Sequence, residues 1–373
     1  MIEYVSASAP AHVVDGWSFL SRGVDCAVRG DTYSALHFGY YAELRAAMGL
    51  LASEGVGIFN QRHPAILKDG TVTVIPKIKM ESGYRFGGTH AIVWPCLEHW
   101  AQQKSAERLF DHIIQPAGVP LSRWMHGCGL GVSSAAAYRC MSKWGVDLAA
   151  TNDDHSNRNL VSYRPSCFRS PDRLAPAQVL DFVEDLWRLF EPSAQRTRFQ
   201  TLEQHLLKQI LRMSGVTPSA TMIESLGIDQ AEAINWSRFL ASNETLVPLD
   251  DSQKKSDVDD SRCHLQVLSR AALILFLASA STRRHLAVGG FDSNALSFWW
   301  HQFGVQRGLW PLGGEPDDSL DFWSEVTDSL DEIRAWRTSQ PADFTLHTAS
   351  RSIATPMRCL AGFEIGSIWG LLP

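Results

Sequence analysis

Apolar side chains recur every three to four residues along most of the chain, which is the period of an amphipathic α-helix. The first clear run predicts a helix from about Tyr33 to Ser53, with Leu36, Leu44 and Leu51 on one face. Gly55 follows this run and is expected to end the helix. The same period predicts further helices at 89–103, 106–118, 132–144, 178–190, 202–213, 264–281, 296–310 and 320–336. The pattern therefore indicates a mainly α protein.

A different period interrupts the helices after Gly55. Apolar residues at Ile66–Leu67 and again from Val72 to Ile75 flank the sequence Lys-Asp-Gly-Thr. Because Asp-Gly between two apolar runs is the favoured two-residue hairpin turn, these residues predict a small β-hairpin near 66–76, inserted between helices. Pro76 lacks a backbone N–H, so the hairpin is expected at an edge.

Changes in composition divide the chain into five parts. A polar run, DDSQKKSDVDDS, reads as a linker between two helical halves. The predicted organisation is an irregular N-terminal arm at 1–30, a helical bundle with the hairpin at 31–192, a helical connector at 193–249, the polar linker at 250–261, and a Trp-rich C-terminal helical domain at 262–373.

Overall composition limits the class of protein. The chain has 373 residues, 45% of them hydrophobic, which is ample for a real core, and a formal net charge of −6 argues against strong nonspecific binding to nucleic acid. Its seven cysteines form no CxxC pair, so buried thiols are expected rather than disulfides or a zinc site. The apolar run Ala271–Ala280 is too short to span a bilayer, which needs about 20 residues, and predicts a buried helix. Because the N-terminus lacks a signal-peptide pattern, a cytoplasmic location with no membrane partner is expected.

The densest set of hydrogen-bonding side chains lies between Trp124 and Pro165. Its members are Asp153, Asp154, His155, Asn157, Arg158, Asn159, Tyr163 and Arg164. RNA cleavage by attack of the 2′-hydroxyl needs a base that titrates near pH 7, donors to the phosphate oxygens and a group that protonates the leaving oxygen. An imidazole suits the first role, guanidinium groups can hold the phosphate, and an amide or phenol can orient it. The candidate catalytic residues are accordingly His155, Arg158, Asn159, Tyr163 and Arg164.

Asp153 and Asp154 open two other interpretations of this cluster. They can pair with Arg158 and Arg164 in a polar network that only holds the loop together. Together with His126 and His155, the two aspartates can also form a metal site. Adjacent carboxylates in a loop are more often solvated, so no metal is expected.

Two further groups of residues lie near this cluster in the sequence. Ser133 and Ser134 with His126 and Asp147 resemble a hydrolase set, but no Gly-x-Ser-x-Gly elbow follows a strand. Glycines at 127, 129 and 131 precede the predicted helix at 132–144, but no Gly-Lys-Ser/Thr follows them. No cofactor is therefore expected.

Large aromatic side chains are concentrated in the last third of the chain. They include Phe298, Trp299, Trp300, Trp310, Phe322, Trp323 and Trp336. Most are expected in the core, and some are expected to face a partner protein.

The first predicted helix carries a resemblance to a known family. The sequence Tyr40-Tyr41-Ala42 opens a small-residue helix that continues to Leu50-Leu51, and Gly55 and then Gln61-Arg62-His63 follow. These residues resemble the opening of HEPN-type helical bundles. With His90, Trp94, Trp124 and the run from Arg158 to Pro165, residues 33 to 190 resemble the divergent bacterial members found in defence or mobile-element loci.

The resemblance implies an all-α bundle, often dimeric, whose active members cleave RNA without a metal. The family's active motif is an Arg and a polar residue, followed after four to six positions by a His. Arg158-Asn159 matches the first half, but Tyr163 and Arg164 stand where the His is expected, and His155 lies upstream. This departure favours a catalytically silent bundle used for assembly.

Three functional hypotheses follow. The leading one is a HEPN-like subunit of a bacterial anti-phage or mobile-element defence system, which assembles with a partner ATPase or nuclease and can form a homodimer. The second is a metal-independent RNA-cleaving effector of such a system. The third is a DNA-handling protein, which would need a basic groove that the acidic net charge makes less favourable.

Overall fold

The computed structural model describes residues 1–60, 62–75, 88–131, 159, 174–192, 199–254, 260–292, 302, 304–306, 310–313, 320–341 and 343–371. Over these residues the protein is mainly α-helical, with one small two-stranded antiparallel sheet, which confirms the predicted mainly α class.

The elements follow one another as α1 Ile2–Val28, α2 Thr32–Ser53, β1 Pro64–Ile66, β2 Val72–Val74, α3 Thr89–Ala101, α4 Lys104–Ile113, α5 Leu121–Gly127, α6 Pro176–Leu189, α7 Gln200–Met213, α8 Ala220–Glu224, α9 Gln230–Ala241, α10 Val247–Ser252, α11 Cys263–Val288, α12 Leu320–Thr338, α13 Leu346–Ser352, α14 Ala354–Ala361 and α15 Gly366–Leu371. Short 3₁₀ turns lie at Pro116–Gly118 and Phe363–Ile365.

Three long helices, α1, α2 and α11, pack against one another at the centre of the protein. Small residues allow this close approach. A Cβ atom at Gly23 of α1 would lie only 2.6 Å from Leu268 Cδ2 of α11 and 3.4 Å from the backbone oxygen of Ala35 in α2. Because α11 belongs to the predicted C-terminal half, helices from both predicted halves share one core.

The prediction of an irregular N-terminal arm is wrong, because Ile2–Val28 form the helix α1. Its buried side chains are spaced three or four apart, at Val5, Ala9, Val13, Trp17, Leu20 and Val24. Pro10 and the short side chains around it interrupt this pattern in the sequence, and the stripe is buried only because α2 and α11 lie against it.

The first predicted helix is confirmed as α2. Asp31 caps it, since its carboxylate accepts a hydrogen bond from the Ser34 N–H at 3.0 Å. The predicted helices at 89–103, 178–190, 202–213 and 320–336 are also confirmed, within two residues at their ends. The helix predicted at 264–281 is confirmed as part of α11, which continues seven residues further, to Val288. The helix predicted at 106–118 ends at Ile113 and a 3₁₀ turn follows. The helix predicted at 132–144 and most of that at 296–310 lie outside the described residues.

The predicted hairpin is confirmed, but its turn is one residue longer than expected. Ile66 pairs with Val72, and the Leu67 N–H donates to the Thr71 carbonyl at 2.8 Å. Three residues therefore form the loop, and the last, Gly70, has a φ of +81°. A three-residue loop with its last residue in the left-handed region is a common alternative to the two-residue turn.

Part of the predicted polar linker belongs to a folded element. Asp251 lies in α10 and is only 1% exposed. Ion pairs with Arg262 and Lys254 stabilise its buried carboxylate. Residues 255–259 lie outside the described part of the chain. At Asp251, a polar residue of the predicted linker is therefore part of the folded protein and is paired with cationic side chains.

By length and composition, α11 is the one helix among the described residues that is apolar enough to cross a membrane. Its apolar window is completely buried inside the protein, as in the core helix of a soluble protein. The prediction of a buried helix at Ala271–Ala280 is confirmed, since this run lies in the middle of α11.

Aromatic side chains from the C-terminal part pack into the same core. The rings of Trp187 and Phe363 stack with centroids 4.0 Å apart, and Trp323 contacts both Trp187 and Trp369. Trp310 is 6% exposed. Most of the C-terminal aromatics were expected in the core, and this is confirmed for Trp310. Trp299 and Trp300 lie outside the described residues.

One ion pair lies entirely inside the core. Arg270 of α11 donates from Nε to Glu43 Oε1 of α2 at 3.1 Å, and its second nitrogen Nη1 donates to the Lys254 carbonyl at 3.0 Å. Both charged side chains are 0% exposed. The pair therefore fixes the register of α2 against α11 and holds the chain after α10 to the same point.

Removing one member of this pair should destabilise the fold strongly. Arg270→Met leaves the Glu43 carboxylate buried without its guanidinium partner, and we expect a loss of about 3–5 kcal/mol in the free energy of unfolding by urea denaturation. The double variant Glu43→Leu/Arg270→Met should recover most of this loss, because no unpaired charge remains. Arg334→Met removes the exposed pair with Glu184 and serves as a control, with an expected loss of about 1 kcal/mol or less. Equal losses in the single and double variants would contradict the role of the pair.

Candidate functional site

The predicted catalytic cluster lies almost wholly outside the described residues. This holds for His155, Arg158, Tyr163 and Arg164, and also for the neighbouring Asp153 and Asp154. Asn159 is the one candidate that is described, and it is helical and half-buried. The catalytic cluster therefore stays a prediction. His126, considered for a metal site, lies exposed in the last turn of α5.

A second group of chemically active side chains lies where α2 meets the start of α3. We call it the Tyr–His cluster, and it consists of His37, Tyr40, Tyr41 and His90. The Tyr40 hydroxyl lies 2.8 Å from His90 Nδ1, and the two rings are nearly parallel with an angle of 16°. The sequence resemblance drew attention to three of these residues but assigned none of them to a site.

Helix geometry explains how the cluster forms. His37 and Tyr41 are four residues apart, so they share one face of α2, and their ring centroids are 5.0 Å apart. His90 lies in the first turn of α3, where its ring also approaches Tyr41, at 6.1 Å. His37 was missed by the sequence analysis. The signal that would have found it is the spacing His-x-x-Tyr-Tyr, which places three ring side chains on adjacent positions of one helical surface.

The Tyr–His cluster combines a buried hydroxyl with half-buried imidazoles. Tyr40 is 0% exposed, whereas His37, Tyr41 and His90 are half-buried. A buried tyrosine hydroxyl normally takes a hydrogen-bond partner, so the Tyr40–His90 bond stabilises the contact between α2 and α3. Imidazole and phenol groups in contact with water are also of the kind that general acid–base catalysis uses.

A basic cluster on α7 serves to hold neighbouring elements. Lys208 is 2% exposed, and its Nζ donates to Ser242 Oγ at 2.7 Å and to the Glu244 carbonyl at 2.9 Å. The same Nζ lies 4.3 Å from the centroid of the Phe239 ring. Burial, and then the nearby Arg212, lower the pKa of Lys208. Since its donors are used within the protein, this lysine fastens α7 to the end of α9.

A small cleft lies between α7 and α11, with room for about one water molecule. Its lining residues are Ile113, Phe199, Glu203, Phe276, Ser279, Ala280, Arg283 and Gly370. Glu203 accepts a hydrogen bond from the Gln115 N–H at 2.9 Å, and Ser279 accepts one from Trp17 Nε1 at 2.9 Å. These polar groups therefore already join parts of the core to one another.

Three histidines are held in their neutral form by the protein. Burial is the main cause in each case and lowers the pKa of His12, His205 and His264 from 6.5 to about 4. A cationic neighbour lowers each pKa further. This neighbour is Arg45 for His12, Lys208 for His205 and Arg262 for His264. These histidines are thus poor proton acceptors at neutral pH. Within the described residues, no group of three or more His, Cys, Asp or Glu side chains is arranged to hold a metal ion.

Comparisons with known proteins add no relative. No family model, no curated protein and no solved structure matches the chain. The resemblance to HEPN-type bundles therefore rests on the sequence residues alone.

The neutral histidines predict how stability depends on pH. Because the pKa of His264 is about 4 in the folded protein and 6.5 in the unfolded chain, the unfolded chain binds more protons between these values. Stability should fall as the pH decreases from about 7 to about 4, by up to roughly 3 kcal/mol for this one buried histidine. Urea denaturation at several pH values measures the slope.

His264→Gln should make this slope shallower, and the exposed His347→Gln is the matched control that should leave it unchanged. A slope that does not differ between the wild type and His264→Gln would show that this histidine does not contribute.

Proposed function

We propose that this chain is a HEPN-like helical subunit of a bacterial anti-phage or mobile-element defence system, and that it assembles in the cytoplasm with a partner ATPase or nuclease. One feature of the structure and one of the sequence support an assembly role over catalysis. The residues that carry the resemblance in α2 serve the core, since Tyr40 is buried and Glu43, three residues later, forms the buried pair with Arg270. The departure of the Arg158-Asn159 motif from the active pattern points the same way.

The observation that carries the proposal is a set of apolar side chains left in water at one end of the molecule. We call it the hairpin patch, and it comprises Ile2, Tyr4, Leu67, Val72 and Val74, which are 43%, 63%, 49%, 40% and 59% exposed. Its two parts meet through Phe59 and Ile66, which both pack against a small buried cluster of Val5, Ala9 and Ala52. The rings of Tyr4 and Phe59 also lie in contact, with their centroids 4.7 Å apart. Clustered apolar residues on a surface typically mark a protein interface.

The proposal predicts that charge in the hairpin patch breaks the complex. A tagged chain expressed from its own locus should copurify with a stoichiometric partner, and the host should resist phage infection. The double variant Tyr4→Glu/Leu67→Glu should lose the partner and at least about tenfold of the protection measured by plaque counts, because two charges cannot be buried unpaired in an apolar interface.

Val288→Glu is the matched control, since Val288 is 82% exposed but lies outside the hairpin patch. A wild-type chain that copurifies with no partner during infection, or a deletion that leaves resistance unchanged, would sink the proposal.

One observation favours a second candidate function, the metal-independent RNA-cleaving effector. The half-buried His90, bonded to Tyr40, supplies an imidazole able to exchange protons, and the predicted catalytic cluster supplies cations for a phosphate. In this function Arg158 holds the phosphate and His155 or His90 transfers the proton.

An RNA-cleavage assay with chelator separates the two functions. For an assembly subunit, the purified wild-type chain should leave RNA intact. For an effector, the wild type should cleave it, and Arg158→Ala and His155→Ala should each reduce the rate by about 10²-fold or more, the usual effect of removing a group that assists proton transfer or phosphate binding. His90→Gln tests the Tyr–His cluster in the same assay, and circular dichroism checks that each variant stays folded.

A further inference from the structure

The hairpin leaves one strand edge open. On one side of β1, the Gly57 N–H donates to the Pro64 carbonyl at 2.8 Å and the Ile66 N–H donates to the Gly55 carbonyl at 2.9 Å. On its other side, β1 pairs with β2. Both edges of β1 are therefore occupied, and β2 forms the outer edge of this small sheet.

The hydrogen-bond pattern shows which groups of β2 point outward. The N–H groups of Leu67 and Ile75 donate across the hairpin, to the carbonyls of Thr71 and His63, at 2.8 Å each. In an antiparallel pair the bonding residues alternate, so Thr73 also faces β1, whereas Val72 and Val74 direct their N–H and C=O groups away from it. Among the described residues, no backbone hydrogen bond reaches Val72 or Val74 from the outer side. The edge therefore presents two donors and two acceptors to solvent.

This edge is held in a fixed shape before any partner arrives. Asp69 Oδ1 accepts hydrogen bonds from the N–H and Oγ1 of Thr71, at 2.9 and 2.7 Å, which close the turn. The hydrogen bonds from Thr71 also hold the pKa of Asp69 below its ordinary value. Ile66 fixes the base of the hairpin by packing against the buried cluster of Val5, Ala9 and Ala52. A preformed edge lowers the entropy cost of binding.

We propose that the outer edge of β2 is the docking site for an extended segment of a partner protein, which pairs with Val72 and Val74 as an added strand. This inference rests on the proposed role as an assembly subunit and names the surface that the partner uses. The backbone of the segment supplies the matching donors and acceptors. Val72 and Val74 lie opposite Ile66 and Pro64 and so share their face of the sheet. The segment should therefore carry apolar side chains at alternate positions on that face.

The size of the edge distinguishes this occupant from a second copy of the chain. β2 has only three residues, so a two-fold pairing of two β2 strands would join two valines from each copy. Such a contact falls far below the ~1,200–2,000 Å² that a stable interface between folded proteins buries. A flexible segment is not held to this limit, because it can continue past the three residues of β2 and contact further parts of the protein.

A labelled peptide tests the edge directly in the full-length protein. The probe is a fluorescent seven-residue peptide, Lys-Val-Thr-Val-Thr-Val-Lys, together with two versions that carry N-methyl groups on alternate residues. Only one set of nitrogens faces β2, so one methylated peptide should lose binding at least about tenfold while the other binds like the parent. No saturable binding of the parent peptide, or equal binding of both methylated versions, would overturn the proposal.

Two variants at one position separate backbone pairing from side-chain contact. Val74→Pro removes an outward N–H but none of the hydrogen bonds to β1, so the hairpin should persist while the peptide binds at least about tenfold more weakly. Val74→Thr keeps the N–H and the β-branched shape and should bind within about threefold of the wild type. Protection of the Thr73 and Ile75 amides from hydrogen exchange reports whether the hairpin persists in each variant. Wild-type affinity in a Val74→Pro protein that keeps its hairpin would contradict the added strand.

The native complex separates failure of this inference from failure of the proposed function. A partner that copurifies with the wild type and equally with Val74→Pro overturns the docking site and leaves the subunit role standing. Absence of any partner with the wild type overturns the subunit role. A dimer of the chain alone that dissociates in Val74→Pro, measured by sedimentation, would assign the edge to a second copy and overturn the occupant proposed here.

Discussion

The fold depends on the burial of one ion pair between two central helices. Glu43 and Arg270 have no contact with solvent, yet each carries a charge whose transfer from water is costly. The protein meets this cost with a direct hydrogen bond and with the Lys254 carbonyl as a further acceptor. Only one alignment of α2 with α11 satisfies both groups, so the pair selects a register that apolar packing between Leu- and Ala-rich helices would leave less defined.

Around this pair the helices use small residues to come close. Gly23 brings α1 against both partners, and the rings of Trp187, Phe363 and Trp369 fill the space on the far side of the bundle. The consequence for function is that most large side chains of the described C-terminal part are committed to the core. Exposed apolar side chains lie instead on the hairpin patch, and the expectation that some C-terminal aromatics face a partner stays a prediction for Trp299 and Trp300.

The Tyr–His cluster and the hairpin represent two different uses of surface. The cluster places imidazole and phenol groups at a helix junction, where they can stabilise the junction and exchange protons. The hairpin offers no titrating chemistry at its edge, only backbone donors, acceptors and valines. This contrast is why assembly is the leading proposal and RNA cleavage the alternative, which depends on residues such as Arg158 that lie outside the described part of the chain.

Periodicity alone determined the class of the protein and the position of seven of the fifteen described helices and of the hairpin, because a repeat of three to four residues or an Asp-Gly turn depends on local geometry. It failed at α1, where Pro10 and small side chains disguised a buried stripe that only α2 and α11 reveal. Tertiary structure alone decided that Asp251 and Glu43 are buried and that His37 and His90 approach the same tyrosines. It also decided that β1 pairs with one edge of β2 while no other described strand pairs with its outer edge. These features depend on residues far apart in the chain. A local sequence pattern does not show which distant side chain will form the ion pair, ring contact or strand pair.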